Sequence, residues 1–342
     1  MLSLAKENAS LRRSWFRGSL RIGGSIVALF VLFHFLPLAE VWRTLRRLPA
    51  LLWLLVIAGY LGTHLVAVNK WRMMVNLAGA HLTFRQAIRF YFSGLFSTLF
   101  LPSIVGGDFV RGALALRSGQ SRTSIFMGGL LDRILDFAAL ALLIAFGVLL
   151  IPGSLPSEAR RIFFTAGIFL SILLALITPV ILWFPARKIS FARRRGIVRL
   201  RRAAQSMRRK PRQVATALCL GLFAQASFIW LTSRVAYSTG LRLPFRAWLF
   251  AWPLAKLSAL IPVTQGGIGV REAALVVLLV PFGAPGVKTV AVGLAWEAVI
   301  ISGGLIAGFA ALLLGRQLAS GNAAARSETT AEKPAASRFP SL

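Results

Sequence analysis

The sequence predicts an all-α integral membrane protein: an inverted-repeat polytopic bundle of about six full spans plus two re-entrant helical hairpins. Three observations carry this. The composition is 57% hydrophobic with a mean hydropathy of +0.72, and only 15% of residues are charged, against roughly 25% in soluble domains. The basic residues are concentrated between apolar runs. Two interrupted apolar stretches match one another without gaps at an offset of 160 residues, Pro102, Gly106, Gly107, Val110, Arg111 and Ala113 recurring as Pro262, Gly266, Gly267, Val270, Arg271 and Ala273.

Taken along the chain, residues 1–21 form a basic N-terminus holding Lys6, Arg12, Arg13, Arg17 and Arg21. The first apolar run, Ile22–Leu38, follows it, and with no small-residue cleavage site it reads as a retained helix. Further spans are expected over Leu51–Val68, Ser124–Leu150, Ile162–Phe184, Val214–Val235 and Val290–Leu314. Most reach the roughly 20 residues that cross the hydrocarbon at about 1.5 Å per residue. The stretches Ala87–Leu116 and Ala247–Val280 differ, because each carries a Pro and a Gly-Gly near its middle. Proline removes an amide donor and paired glycines weaken a helix, so each stretch reads as two half-helices meeting at an unwound turn. Residues 317–342, rich in Ala, Ser, Glu and Arg, read as a disordered tail.

Charge sets the expected orientation. The loop 185–212 carries twelve Lys/Arg and no acidic residue, which places it in the cytoplasm by the positive-inside rule. Both termini and the Lys70–Arg89 segment then face the cytoplasm, provided each broken stretch returns to the side it entered from; eight full spans give an alternative path. The formal net charge is +30. In a soluble protein that would suggest nucleic acid; here it reads as topogenic charge facing anionic lipid, and no nucleic-acid partner is expected. One cysteine and three histidines without ligand-like spacing give no disulfide framework, metal or cofactor to expect.

The repeat holds the chemistry. Pro102 stands before Gly106-Gly107 at the spacing of Pro262 before Gly266-Gly267, and Val110-Arg111 matches Val270-Arg271. Two spans, a hairpin and a third span make one unit, about 22–150 and again about 162–314. An odd number of crossings forces the second unit to enter from the opposite side. A half-helix that starts after Gly-Gly points unpaired amides into the turn, and Arg111 or Arg271 adds a full charge. Together these make a seat for an anion such as a lipid phosphate. The plainer reading pairs the arginines locally with Asp108 and Glu272. A charge in the hydrocarbon costs roughly 2.5–3.5 kcal/mol on insertion scales, which favours a functional reason.

Among only ten acidic residues, Asp108, Asp132, Asp136, Glu272 and Glu297 lie in or beside apolar segments. Asp132 and Asp136, with Arg133 between them, share a helix face one turn apart. Glu297 lies in the matching span of the second unit. These carboxylates either titrate during transport or pair with Arg111, Arg133 and Arg271 to hold the bundle. Lys256 either faces a cavity or snorkels. Lys70-Trp71-Arg72 reads as an interfacial anchor, as do Trp42, Trp183 and Trp248, and Cys219 reads as packing.

With the paired Pro…Gly-Gly…Arg segments, above all Gly266-Gly267-Ile268-Gly269-Val270-Arg271-Glu272-Ala273, and with Asp132-Arg133, Asp136 and Lys70-Trp71-Arg72, the chain resembles a known family. That family is the flippase-like transmembrane domain of bacterial lysylphosphatidylglycerol synthases, over roughly residues 20–316. The resemblance implies movement of a lipid across the cytoplasmic membrane. In two-domain members a separate soluble domain makes the aminoacylated lipid; 28 residues follow Leu314 here, too few for that domain, so a stand-alone, non-enzymatic form is expected.

A lipid translocase for a phospholipid or polyisoprenoid-linked lipid is therefore the leading expectation. Its partners are membrane lipids with anionic headgroups, and lipid-synthesis enzymes are possible partners. The alternatives are an accessory protein of a lipid-synthesis complex docking through the loop 185–212, and a membrane enzyme acting on an isoprenoid phosphate. No nucleophile–base set supports the last.

Overall fold

The computed structural model describes residues 48–101, 104–150, 209–259 and 267–331, with Arg46, Arg161, Thr165 and Gln205 as isolated positions. Those isolated positions apart, the expected spans Ile22–Leu38 and Ile162–Phe184 and the loop 185–208 lie outside the described residues, as do Pro102, Pro262 and Gly266. Eight α-helices are described in two runs. The first holds α1 (Ala50–Leu77, 28 residues), α2 (Phe84–Ser97, 14), α3 (Ile104–Arg117, 14) and α4 (Arg122–Leu149, 28). The second holds α5 (Pro211–Ser238, 28), α6 (Phe245–Ser258, 14), α7 (Val270–Leu279, 10) and α8 (Gly286–Ala331, 46). Long, short, short, long occurs twice.

Local chemistry sets several of these ends. Thr83 and Gln86 form a reciprocal cap at the start of α2: the Gln86 amide donates to Thr83 Oγ1 at 3.3 Å and the Thr83 amide to Gln86 Oε1 at 3.0 Å. Ser121 Oγ accepts the Ser124 amide at 3.1 Å to open α4. Pro211 occupies the first position of α5, where a missing N–H is harmless.

Three described helices, Ala50–Leu77, Pro211–Ser238 and Gly286–Gln317, are long and apolar enough to cross a membrane. A fourth, α4, has the same 28 residues but carries Asp132, Arg133 and Asp136. At about 1.5 Å per residue such a helix is roughly 42 Å long, beyond the roughly 30 Å of hydrocarbon, whereas 14 residues make only about 21 Å. All four long helices present large apolar side chains outward, including Leu54 on α1, Phe146 on α4, Phe223 on α5 and Phe309 on α8. This outer surface suits lipid rather than water.

The two runs pack reciprocally. Helix α1 lies against α5, α2 against α8, and α6 against α4. Gly59 faces Leu231 while Gly221 faces Lys70 and Ala139, so α1 and α5 run antiparallel. The main core lies between the runs and contains Tyr60, Phe228, Trp248, Phe250, Trp252, Trp296 and Val299.

Several expectations are corrected. Lys70 and Trp71 are buried at 2% and 1% exposure, so α1 runs through them instead of ending on an interfacial anchor. Its charge is neutralised inside the bundle and does not need the interface. Trp248 is likewise core, not interfacial, and Cys219 is exposed, not packed inside. Helix α8 runs on through residues 317–331 to Ala331.

The starts of α3 and α7 also differ from expectation and from each other. In the first run α3 starts at Ile104, so Gly106-Gly107 lie inside its first turn rather than before it. In the second, α7 starts only at Val270, and Gly267 and Gly269 hold φ of +78° and +86°. The match to Gly269 in the first run is Phe109, which favours continuing the helix, whereas glycine accepts the left-handed turn without steric cost. What the two runs share is close approach. A Cβ on Gly107 would lie 2.7 Å from the Gly94 carbonyl oxygen, and one on Gly267 would lie 2.9 Å from Ala259 Cα. Gly107→Val is therefore expected to push α3 off α2 at a cost of about 1–3 kcal/mol, read as a lowered Tm in detergent. An unchanged Tm would show that the hairpin is not closely packed there.

Candidate functional site

The first run builds one ionic network from three helices. Lys70 on α1 reaches Asp132 Oδ1 and Asp136 Oδ1 on α4, both at 2.7 Å. Arg111 on α3 reaches Asp132 Oδ2 at 3.1 Å and Asp108 Oδ1 at 3.2 Å. Arg133 on α4 grips Asp108 with both ends of its guanidinium, Nε donating to Oδ2 at 2.6 Å and Nη2 to Oδ1, and lies 3.7 Å from Asp136. Three cations meet three carboxylates, so the set is neutral. It is graded in depth: the Lys70 and Asp132 side chains are 2% and 3% exposed, whereas that of Arg133 is 36% exposed. The Arg111 guanidinium also lies over Trp71 and Tyr91, at 5.1 and 5.0 Å from the ring centroids.

Helix periodicity makes this possible. Asp132 and Asp136 are one turn apart on α4 and both face α1, while Arg133 is turned toward α3. Asp108 and Arg111 are likewise one turn apart on α3, an i,i+3 pair.

The second run builds a smaller set. Arg271 on α7 donates to Glu272 Oε1 at 2.9 and 3.2 Å and to Glu297 Oε2 on α8. Glu272 is fully buried and its other oxygen accepts the Gly269 amide at 2.6 Å, so one carboxylate fixes both the arginine and the start of α7. A Cβ on Gly293 would lie 2.6 Å from Glu272 Cγ, so the glycine makes room for that carboxylate. Arg271 lies 5.9 Å from the Trp252 ring centroid.

Arg111 and Arg271 are thus each seated between two carboxylates and an aromatic face. The local pairs Arg111–Asp108 and Arg271–Glu272 are both present, and both are extended by a second carboxylate from a long helix. The two networks share no ion pair among the described residues. An aromatic path joins them instead, from Tyr91 through His64, Tyr60 and Phe228 to Trp296 and Trp252, with neighbouring ring centroids 4.5 to 6.2 Å apart.

Sequence reasoning missed Lys70, the hub of the first network, because a lysine beside Trp and Arg at the end of an apolar run has the pattern of an interfacial anchor. It also missed Gln225, whose Oε1 accepts Lys256 Nζ at 2.9 Å. No spacing rule pairs residues on separate helices, so neither had a signal. Among the described residues no group of three His, Cys, Asp or Glu side chains is arranged to hold a metal ion.

Comparison with known proteins agrees with this architecture. The family profile described as "Lysylphosphatidylglycerol synthase TM region" matches residues 18–308. None of the curated proteins compared with the chain matches it.

Proposed function

The chain belongs to the lysylphosphatidylglycerol synthase transmembrane-region family, and from that premise we propose that it is a translocase moving a phospholipid or polyisoprenoid-linked lipid across the cytoplasmic membrane. It is a multi-pass helical membrane protein, and in this reading it carries no enzymatic step of its own. The observation that carries the proposal is ten charged side chains set among apolar helices, five basic and five acidic: Lys70, Arg111, Arg133, Lys256 and Arg271 with Asp108, Asp132, Asp136, Glu272 and Glu297. Charge in hydrocarbon is rare and marks a pathway by default.

The topology in this reading has about six full spans and two re-entrant hairpins, with repeats at about 22–150 and 162–314 and both termini in the cytoplasm. The antiparallel α1 and α5, which occupy equivalent places in the two runs, support the inversion. The short hairpin helices, at about 21 Å or less, support re-entry over crossing. Alternating access then comes from rocking one run against the other around the ionic networks.

The networks lower the desolvation cost of a charged headgroup. Arg133 is the most open cation of the first set, and a phosphate offers it the bidentate geometry that Asp108 now supplies. When a headgroup phosphate takes the place of Asp108 on Arg133, Asp108 still keeps Arg111 at 3.2 Å, so neither anion is left without a cation beside it. Arg111 and Arg271, held by two carboxylates each, fix the hairpins against α4 and α8.

The test is leaflet exchange of fluorescent anionic and zwitterionic phospholipids in liposomes holding the purified protein. Arg133→Gln is expected to slow exchange of the anionic lipid about tenfold or more, the worth of a bidentate charge-assisted pair, with elution and Tm close to wild type. Equal exchange by wild type and empty liposomes across the lipid panel would sink the translocase reading. Unchanged exchange by the variant would remove Arg133 from the path.

A further inference from the structure

We propose that Lys256, with the indole N–H of Trp252 and the ring of His64, forms an anion site at mid-depth in the bundle that holds the phosphate of a lipid headgroup in transit. This rests on the translocase reading and names the place where the headgroup pauses.

Of the five inner cations, Lys256 alone has no carboxylate within ion-pair distance among the described residues. Its ammonium donates to the Gln225 amide oxygen at 2.9 Å and lies 5.2 Å from the Phe228 ring centroid. An ammonium carries three donors, and one amide oxygen occupies one of them. The last turn of α6, where Lys256 sits, favours a cation through the helix dipole but offers no counter-ion. Lys70, Arg111, Arg133 and Arg271 each meet at least one carboxylate, so among the described residues Lys256 is the one of the five without a partner of opposite charge.

Two further groups point to a ligand. Trp252 Nε1 and His64 Nδ1 are buried and have no hydrogen-bond partner among the described residues, and Trp252 is only 2% exposed. A buried indole N–H without an acceptor is costly and uncommon. Trp252 and Lys256 are four residues apart, so they share one face of α6. The Trp252 ring packs on Trp296 at 5.2 Å, and His64 packs on Phe228 at 5.2 Å, the same ring that lies under Lys256. Lys256 and His64 meet at the Phe228 ring, and Trp252 joins them through Trp296, which packs on Phe228. Lys256 has donors to spare beyond Gln225, the Trp252 N–H has no acceptor among the described residues, and His64 donates from Nδ1 in one of its tautomers; a phosphate supplies oxygens for these donors and the missing negative charge.

Position adds to this. The contacts Gly59–Leu231 and Gly221–Lys70 bracket a crossing of α1 and α5 centred near His64 and Gln225. Those residues are also the midpoints of Ala50–Leu77 and Pro211–Ser238. If these helices span, the site lies near the bilayer midplane, between the two repeats, where a translocated headgroup is hardest to accommodate. The aromatic walls accept the lipid's apolar portion.

The test is binding of the full-length protein in detergent micelles, followed by quenching of tryptophan emission. The probes are dihexanoylphosphatidylglycerol, dihexanoylphosphatidylcholine and inorganic phosphate, with K256M, K256R and W252F compared with wild type and with K210M as an exposed basic control. Dihexanoylphosphatidylglycerol is expected to bind about tenfold or more weakly to K256M, the loss of one charge-assisted hydrogen bond. K256R and K210M should stay near wild type, and W252F should fall between. The same loss with inorganic phosphate alone would keep the anion site but assign it to a soluble ion, overturning the lipid. Equal binding of the anionic probe by K256M and wild type, with both eluting as one symmetric species, would overturn the site itself. Binding intact with no leaflet exchange in wild-type liposomes would instead fail the translocase reading and leave the site standing.

Discussion

Replacing Lys70 with methionine is expected to cost about 3–5 kcal/mol, the usual result of removing one partner from a buried ion set. Its ammonium is 2.7 Å from both Asp132 and Asp136, and it also donates to the Asp132 carbonyl at 3.3 Å. Methionine fills a similar volume, so the loss is one of charge and not of packing. Asp132 would keep Arg111, but Asp136 would keep only Arg133 at 3.7 Å. Since whole domains are stable by about 5–15 kcal/mol, K70M should show a sharply lower Tm and a broadened, early-eluting peak on size exclusion in detergent. The double variant Lys70→Met with Asp136→Asn should recover part of the loss, because it removes the orphaned charge too. A K70M protein as stable as wild type would mean that the network contributes nothing to folding.

The second large effect is expected at Gly128 on α4. A Cβ there would lie 2.7 Å from the Val75 backbone nitrogen on α1, and backbone cannot rotate aside as a side chain can. Gly128→Val should force α1 and α4 apart, at about 3 kcal/mol, the upper end for overpacking. The site would feel it, because Val75 is five residues beyond Lys70 and Gly128 is four before Asp132. Widening this contact stretches the Lys70–Asp132 pair, so leaflet exchange should fall with stability. Gly129 supplies the control: nothing lies within 4 Å of a Cβ built there. Gly129→Ala should leave Tm unchanged or raise it by the helix-propensity gain of about 0.5–1 kcal/mol. Equal Tm values for Gly128→Val and Gly129→Ala would contradict the close α1–α4 approach.

Both effects turn on contacts that no motif announces. The Pro…Gly-Gly…Arg pattern picked out the two pairs of short helices, α2–α3 and α6–α7, and the closely spaced Asp132, Arg133 and Asp136 marked α4 as more than a plain span. The arrangement of Gly-Gly was less legible. Its second glycine serves close packing in both runs, but only the second run, which has Gly269 where the first has Phe109, turns there. A shared motif therefore leads into two different helix starts: α3 takes the glycines into its first turn, whereas α7 begins only after the left-handed Gly269.

What the sequence determined by itself is the solvent and the plan: helices for a bilayer, two related runs, and the charged residues that matter, Lys70 and its anchor-like setting apart. These are legible because apolar length, paired glycines and charge in apolar segments are constraints that act along the chain. Only the tertiary structure decided the partners. Lys70 found Asp132 and Asp136 across two helices, Glu272 divided itself between Arg271 and the Gly269 amide, and Lys256 found an amide oxygen and a phenyl ring but no carboxylate. The physical reason is that neutralising a buried charge depends on distances of about 3 Å between side chains far apart in sequence. Helix packing sets those distances, and no local pattern encodes them.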